Sequence, residues 1–331
     1  MAKPSKLVPP LLIVAIRIPM NSSVSILCNP HASGWDRCRD DLERSASERG
    51  HDLVKLDPDD HWLDQIRNNS PQRLCIFGGD GTLSKVVQKL DHEKMLDRFE
   101  LGLIPGGTGN DFARSIGMHG LPWRDAYATA TEQPATPIDL IDIRNGSAHL
   151  IINAATAGFG GLVSGEVSSA DKQRWGSMAY WITAVTHLTS LPKYSLELTF
   201  QDDTQAKFEV FGLAVASGRY VGGGFPVAPE ATVNDGLLDV TVVPVMPVSE
   251  LLAAGVDTTF GWYHESGRIA TFTARWVRVE STPPLPYSLD GETEQSDGVE
   301  FSVRPAAMRV ACHSEAVGVQ SPGAFQTATQ P

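Results

Sequence analysis

At 331 residues with 42% hydrophobic side chains, the chain is long enough to bury two ordinary cores. Its formal net charge of −12 argues against nucleic acid as the main partner, because gripping a phosphate backbone needs a basic footprint, and it makes any membrane contact a local one. The cysteines, Cys28, Cys38, Cys75 and Cys312, are widely spaced without a CxxC pair, and two sit within apolar runs as small core residues do, which fits a reduced, cytoplasmic compartment.

The elements follow in chain order. MAKPSKLVPPLLIVAIRIPM opens with lysines and an apolar run, Leu11 to Ile16, that resembles a weak signal peptide but is too short for one and far too short to span a bilayer. Residues 1–22 are therefore read as an N-terminal extension, with Met20 an alternative start just ahead of the strand-like SVSILCNP. From residue 23 to 137 short apolar strands alternate with amphipathic helices: VSILC, DRCRDDLERSASERG, HDLVKL, RLCIF, LSKVVQKL, ELGLIP and NDFARSIG. That rhythm predicts an α/β layer with a largely parallel sheet. Residues 138–313 read differently, as strands IDLIDIR, AHLIINA, SLELTF, FEVFGLAVAS, LLDVTVVPV, TARWVRVES and VEFSVRP separated by Gly, Pro, Asn and Asp. SLELTF alternates with period two, as a half-buried antiparallel strand does, so this second domain is expected to be mostly β, a sandwich. Its last strand can return to the first domain. A helical insertion is expected near Ser169 to Ser190, and a disordered tail over 314–331.

Two glycine loops carry the chemistry. In RLCIFGGDGTLSKVV, Gly78, Gly79 and Gly81 follow a strand and open a helix, so backbone N–H groups can face a phosphate, while Thr82 can cap the helix or touch an oxygen. Asp80 in their midst would repel a bare polyphosphate, which leaves a tight Asx-type turn or a carboxylate that works with a metal or reacting group. The loop is not GxxxxGK[ST], nor the dinucleotide fingerprint, and the chain lacks the HRD and DFG set of protein kinases. IPGGTGNDFARSIG repeats the logic with Gly106, Gly107 and Gly109. Two such helix starts on neighbouring βα units can converge on one ligand at the C-terminal edge of a sheet. Thr108 can donate to a phosphate, Asn110 and Asp111 can cap the helix or meet the ligand, and Arg114 can face solvent or phosphate.

GGDGT followed by PGGTGNDFAR resembles the catalytic domain of the diacylglycerol kinase family of lipid kinases, which includes sphingosine and ceramide kinases and bacterial members. The similarity continues through CNPHASG, IDLIDI, NAATAGFGG, GGGFPVAPEATVNDGLLDV and SLDGETE, in family order, from Val24 to Val310. It implies a two-domain, NAD kinase-like lipid-kinase architecture, an α/β nucleotide domain plus a β-sandwich-like domain, with the active site in the cleft between them. It further implies ATP bound by Asn29, by Gly78, Gly79, Asp80, Gly81, Thr82, Leu83 and Ser84, and by Thr108. Glu292 would be the base for the lipid hydroxyl, with Asp80 a second catalytic carboxylate acting with Mg²⁺. Asp235 would hold a metal, helped by main-chain oxygens of Thr232 and Leu237. On local chemistry alone, Glu292 and Asp290 belong to a solvated D-G hairpin turn and Asp235 to an N-D-G turn. Two departures stand out: Ser84 and Lys85 replace the family's frequent Asn and Glu, and VKLDPDD lacks the threonine that many members place near the nucleotide, leaving Asp57 in that region.

The expected partner is a membrane lipid, met by a cytoplasmic protein peripherally associated with the bilayer; a homodimer is compatible with the sequence. DKQRWGSMAYWITAVTHLTSLPKY, with Lys172, Arg174, Lys193, Trp175, Tyr180 and Trp181, reads either as a lipid-facing helix or as one packed on the β-domain. Three activities are weighed: a lipid kinase for diacylglycerol, ceramide or a sphingoid base; a kinase of a soluble acceptor, as in NAD kinases; and a non-catalytic regulator. PGGTGNDFAR and the later DGE favour the first, and retention of Asp80, Asp235 and Glu292 argues against the third.

Overall fold

The structure, a computed structural model, describes residues 23–144, 150–158, 192–260, 266–289 and 292–313. The N-terminal extension, the Ser169 to Ser190 segment and the tail lie outside the described residues.

The first domain begins with β1 (Val24–Cys28), a run buried at every position, as a central parallel strand covered on both faces must be. Helix α1 (Trp35–Arg49) follows and stops at Gly50, whose φ of 67° is open to glycine and whose N–H closes the last turn onto Ser47 O. Next come β2 (Asp52–Lys55), α2 (His61–Asn69), β3 (Arg73–Gly78), α3 (Asp80–His92), β4 (Glu100–Pro105), α4 (Asp111–Ser115) and α5 (Trp123–Glu132). The strands pair in parallel in the order β2-β1-β3-β4, with helices burying Leu42, Ile66, Val87, Phe112 and Tyr127 against them. Gly102 of β4 lets α5 come close, since a Cβ there would sit 2.9 Å from the Ala130 carbonyl carbon. Helices α2 and α5 were not read from the sequence.

The second domain holds β5 (Ala135–Arg144), β6 (Leu150–Ile151), β7 (Ala154–Gly158), β8 (Tyr194–Phe200), β9 (Gln205–Ala216), β10 (Tyr220–Val221), β11 (Phe225–Pro226), β12 (Leu238–Pro244), α6 (Val248–Phe260), β13 (Ala270–Ala274), β14 (Trp276–Leu289) and β15 (Glu292–Ala311). Its doubling into layers comes from two long strands. The first half of β9 and of β14 pairs with β8, and the second half of each pairs with β7, so the four strands wrap around one core that includes Leu196, Leu198, Val215, Val277, Val279 and Phe301. Strand β15 runs on beyond this core, pairs with β5, and lies parallel to β4 at Arg309 and Val310. The domains thus share one continuous sheet.

Arg304 on β15 reinforces that junction. Its guanidinium donates to Asp142 of β5 at 3.0 and 2.6 Å and to Asp91 of α3 at 2.6 Å. The side chains are about one-third exposed, so solvent screens the pairs. Arg304→Ala is expected to lower urea stability by about 1–2 kcal/mol and to leave nucleotide affinity unchanged, which denaturation curves and nucleotide titration would check.

Candidate functional site

The C-terminal ends of β1, β3 and β4 release three loops that touch through their backbones. Gly106 N–H donates to Gly78 O at 2.8 Å, Gly34 N–H to Gly106 O at 2.9 Å, and Asn29 N–H to Phe77 O at 3.1 Å. Gly79 and Gly107 face one another so closely that a Cβ on Gly79 would lie 2.8 Å from Gly107 Cα. Here glycine is needed for approach between chains and not for a special dihedral, because Gly79 itself is extended. Asn110 closes the second loop: at φ 53° its amide accepts from Gly107 N–H at 3.0 Å and donates to Gly107 O at 2.7 Å.

The start of α3 is open. No side chain caps it, and a Cβ on Gly81 would meet nothing within 4 Å. An uncapped start on a helix of this length, beside a bare glycine, is a place for an anion. Around it, Asn29 Nδ2 donates to Thr82 Oγ1 at 2.8 Å, and Thr108 Oγ1 donates to Ser33 Oγ at 3.2 Å, so Asn29, Thr82 and Thr108 belong to one loop cluster. Leu83 and Ser84 turn inward and are buried, with Ser84 Oγ accepting from Gln88 at 2.8 Å.

Asp80 has a partner that no local pattern announces. Its two carboxylate oxygens accept from Asp111 N–H and Phe112 N–H, each at 3.0 Å, and so cap α4 from the other glycine loop. The carboxylate keeps further lone pairs for a ligand. Asp111 in turn accepts from Gly223 N–H of the second domain, at 3.1 and 3.0 Å to its two oxygens. Burial, and then the neighbouring Asp80 charge, push the Asp111 carboxyl up to about 6, against the pull of the Gly223 and Gly224 N–H groups and Arg114.

The predicted metal motif lies in the second domain. Asp235 Oδ1 accepts from Leu237 N–H at 3.0 Å, and Thr232 Oγ1 donates to Glu230 O at 3.4 Å. Partial enclosure of the Asp235 carboxyl raises its pKa, and nearby Asp139 adds to this. Asp239 is pushed up to about 7, first by burial and then by Asp235 and Glu230, with Arg219 opposing. A carboxylate with main-chain carbonyls is an all-oxygen donor set in a locally acidic setting, which suits a hard cation such as Mg²⁺. The loop is anchored by buried Asp139, the first acid of IDLIDI. Asp139 accepts from Gly236 N–H at 2.6 Å and from Ala306 N–H at 2.7 Å. An acid within an apolar strand run was the available signal.

Asp57, by contrast, is used locally, accepting from Asp59 N–H at 3.0 Å and His61 N–H at 3.2 Å at the start of α2. Glu292 opens β15 directly opposite Leu289, with Asp290 and Gly291 outside the described residues. Leu289 also pairs with Ala155 of β7, two residues after Asn153. Asn153 is tied to the α4 region, since its Oδ1 accepts from Ser115 Oγ at 3.4 Å and its carbonyl from Ser217 and Gly218 N–H at 2.9 Å. At a strand spacing of about 5 Å, the Glu292 backbone is roughly 10 Å across the sheet from β7.

Comparison with known proteins agrees with this architecture. Residues 23–143 match the diacylglycerol kinase catalytic domain, and residues 153–312 match the YegS C-terminal NAD kinase beta sandwich-like domain. The chain is 37% identical over 247 residues to a Xanthomonas campestris pv. campestris protein named "Probable lipid kinase YegS-like", covering 73% of this chain and 78% of that one. A Stenotrophomonas maltophilia protein of the same name is 34% identical over 299 residues, 86% and 94% of the two chains. In fold, the chain is similar to a solved diacylglycerol kinase structure from Bacillus anthracis str. Sterne, with a TM-score of 0.66 at 17% identity over 89% and 98% of the chains. With both domains matched in order and relatives this similar across most of their length, the chain belongs to the diacylglycerol kinase catalytic-domain family, in its two-domain YegS-like form.

Proposed function

We propose that the protein is an ATP-dependent lipid kinase that transfers the γ-phosphate to the hydroxyl of a lipid alcohol such as diacylglycerol, ceramide or a sphingoid base. The observation that carries this reading is the pair of glycine loops locked backbone to backbone beneath the open start of α3, with the second domain closing on the second loop. The lipid-kinase names of the relatives support the acceptor class.

In this reading the N–H groups at the start of α3, together with Asn29, Thr82 and Thr108, hold the polyphosphate. Phosphoryl transfer has a loose transition state, so holding the reactants in line and neutralising the phosphate oxygens does most of the work. Glu292 orients the lipid hydroxyl and takes its proton as the new oxygen–phosphorus bond forms, while the bond from the γ-phosphorus to the bridging oxygen breaks and ADP departs. Asp80 holds the two loops in register. Asp235, with the carbonyls of Thr232 and Leu237, would hold Mg²⁺, which when bound adds positive charge to an acidic corner of the cleft.

No helix among the described residues is long and apolar enough to cross a membrane, and a protein acting on membrane lipid would meet the bilayer peripherally. Incubating the protein with radiolabelled ATP and a panel of lipid alcohols, with NAD alongside, is expected to label a lipid on thin-layer chromatography. Label on NAD with none on any lipid would replace this reading with a soluble-acceptor kinase. No transfer to any acceptor despite nucleotide binding would favour a regulator.

A further inference from the structure

We propose that Arg114, clasped by the second domain's glycine loop 222–224, is a positioning residue for the nucleotide: it keeps that loop in place, and Gly223 of the loop in turn holds Asp111 beside the phosphate-binding loops. The proposal rests on the kinase reading above for its assay, and on contacts between the domains for its substance.

Helix α4 is only five residues long, yet it is held from both sides. Its first N–H groups are taken by Asp80 of the first glycine loop. Its outer side meets the segment 219–224 at three points. Gly223 N–H donates to both oxygens of Asp111. Ser115 Oγ accepts from Arg219 N–H at 3.1 Å. Between these, Gly224 lies so close to Arg114 that a Cβ on it would be 3.0 Å from both Cζ and Nε of the guanidinium. Gly222, Gly223 and Gly224 have φ of 63°, 88° and 109°, a run of left-handed backbone that other residues rarely adopt. Gly224 is thus explained by the guanidinium it lies against, and Gly222 and Gly223 by their backbone conformation.

Arg114 also bears on the charge of the site, as a cation that opposes the rise of the Asp111 carboxyl. A Cβ on Gly109 would lie 3.1 Å from Asp80 Oδ2 and 3.6 Å from Asp111 Oδ2, so two carboxylates flank one glycine of the phosphate loop. Left alone they would repel a polyphosphate. Arg114 acts electrostatically on Asp111 and stands near His119, which also senses Asp80. Its Nε is buried without a hydrogen-bond partner among the described residues, and the guanidinium lies directly against Gly224. Removing it takes away both the surface on which Gly224 rests and the cation beside the paired carboxylates.

The test separates nucleotide from lipid kinetics. For Arg114→Met we expect KM for ATP to rise about 10-fold or more with KM for lipid within about twofold, and Arg114→Lys to recover part of the loss. A folded Arg114→Met enzyme with unchanged KM for ATP, or with both KM values raised alike, would overturn the proposal. Should the variants fail to fold, hydrogen exchange on the wild-type protein decides. A non-hydrolysable ATP analogue is expected to protect amides of 219–224 together with those of 78–82, and protection confined to the first domain would be contrary. Wild-type protein that binds the analogue with both segments protected, yet phosphorylates no lipid, would sink the lipid-kinase reading and leave the clasp standing. No binding of the analogue at all overturns both.

Discussion

Glu292→Gln is expected to lower kcat for lipid phosphorylation by about 10²–10⁴-fold while nucleotide affinity stays within about twofold. The amide keeps the size and polarity of the carboxylate but cannot accept the hydroxyl proton, so the loss falls on the transition state and not on ground-state binding. The position of the residue favours such a separation. Glu292 begins β15 in the second domain, whereas the glycine loops that would hold ATP belong to β3, β4 and the helices that follow them in the first. A substitution at the hairpin therefore leaves the phosphate cradle intact. Steady-state kinetics with the lipid identified on the panel, and calorimetric titration with an ATP analogue, measure the two quantities independently. Full activity in the glutamine variant would remove Glu292 from the role of base.

The glycine loops were legible because their chemistry is local. A strand end, three glycines and a helix start can be read from a dozen residues, and the structure shows both loops at the same sheet edge. The meaning of Asp80 was not local. A charge among glycines suggested a group that works with a metal or a reacting atom; in the structure both oxygens of Asp80 also accept from backbone N–H groups more than thirty positions away. Nothing in GGDGT reveals that partner. The clasp at 222–224 was hidden for the same reason, since its purpose depends on Arg114 in another domain.

Among the elements, α2 and α5 escaped notice because they are short and their apolar positions, such as Trp62, Leu63 and Ile66, span barely two turns. Helix α6 sits among strand-like sequences, and its small residues Ala253, Ala254 and Gly255 blur the helical period. Ile151 and Ala154 read as parts of one strand in AHLIINA. They belong instead to β6 and β7, separated where Asn153 turns its carbonyl to Ser217 and Gly218. Turn chemistry is ambiguous as well: Asp235 and Glu292 sit in N-D-G and D-G contexts that read locally as turns, and only the family resemblance assigns them a role.

Two alanine substitutions in the first loop, two residues apart, should behave oppositely in stability. Gly79→Ala places a methyl 2.8 Å from Gly107 Cα, backbone against backbone, so the loops must separate. We expect a loss of about 1–3 kcal/mol in urea unfolding, together with most nucleotide affinity. Gly81→Ala meets nothing within 4 Å and lies in the first turn of α3, where alanine is the better helix former. Stability should hold or rise by up to about 1 kcal/mol. Yet the methyl projects into the open space where a phosphate would approach the helix start, so nucleotide affinity should fall by about 10-fold. The pair distinguishes the inner side of the loop, which holds the fold together, from its outer side, which is left bare for a ligand. A Gly81→Ala protein that is stable and binds nucleotide as tightly as the parent would show that phosphate does not approach α3 from this side. Asp80 would then be left as a structural cap alone.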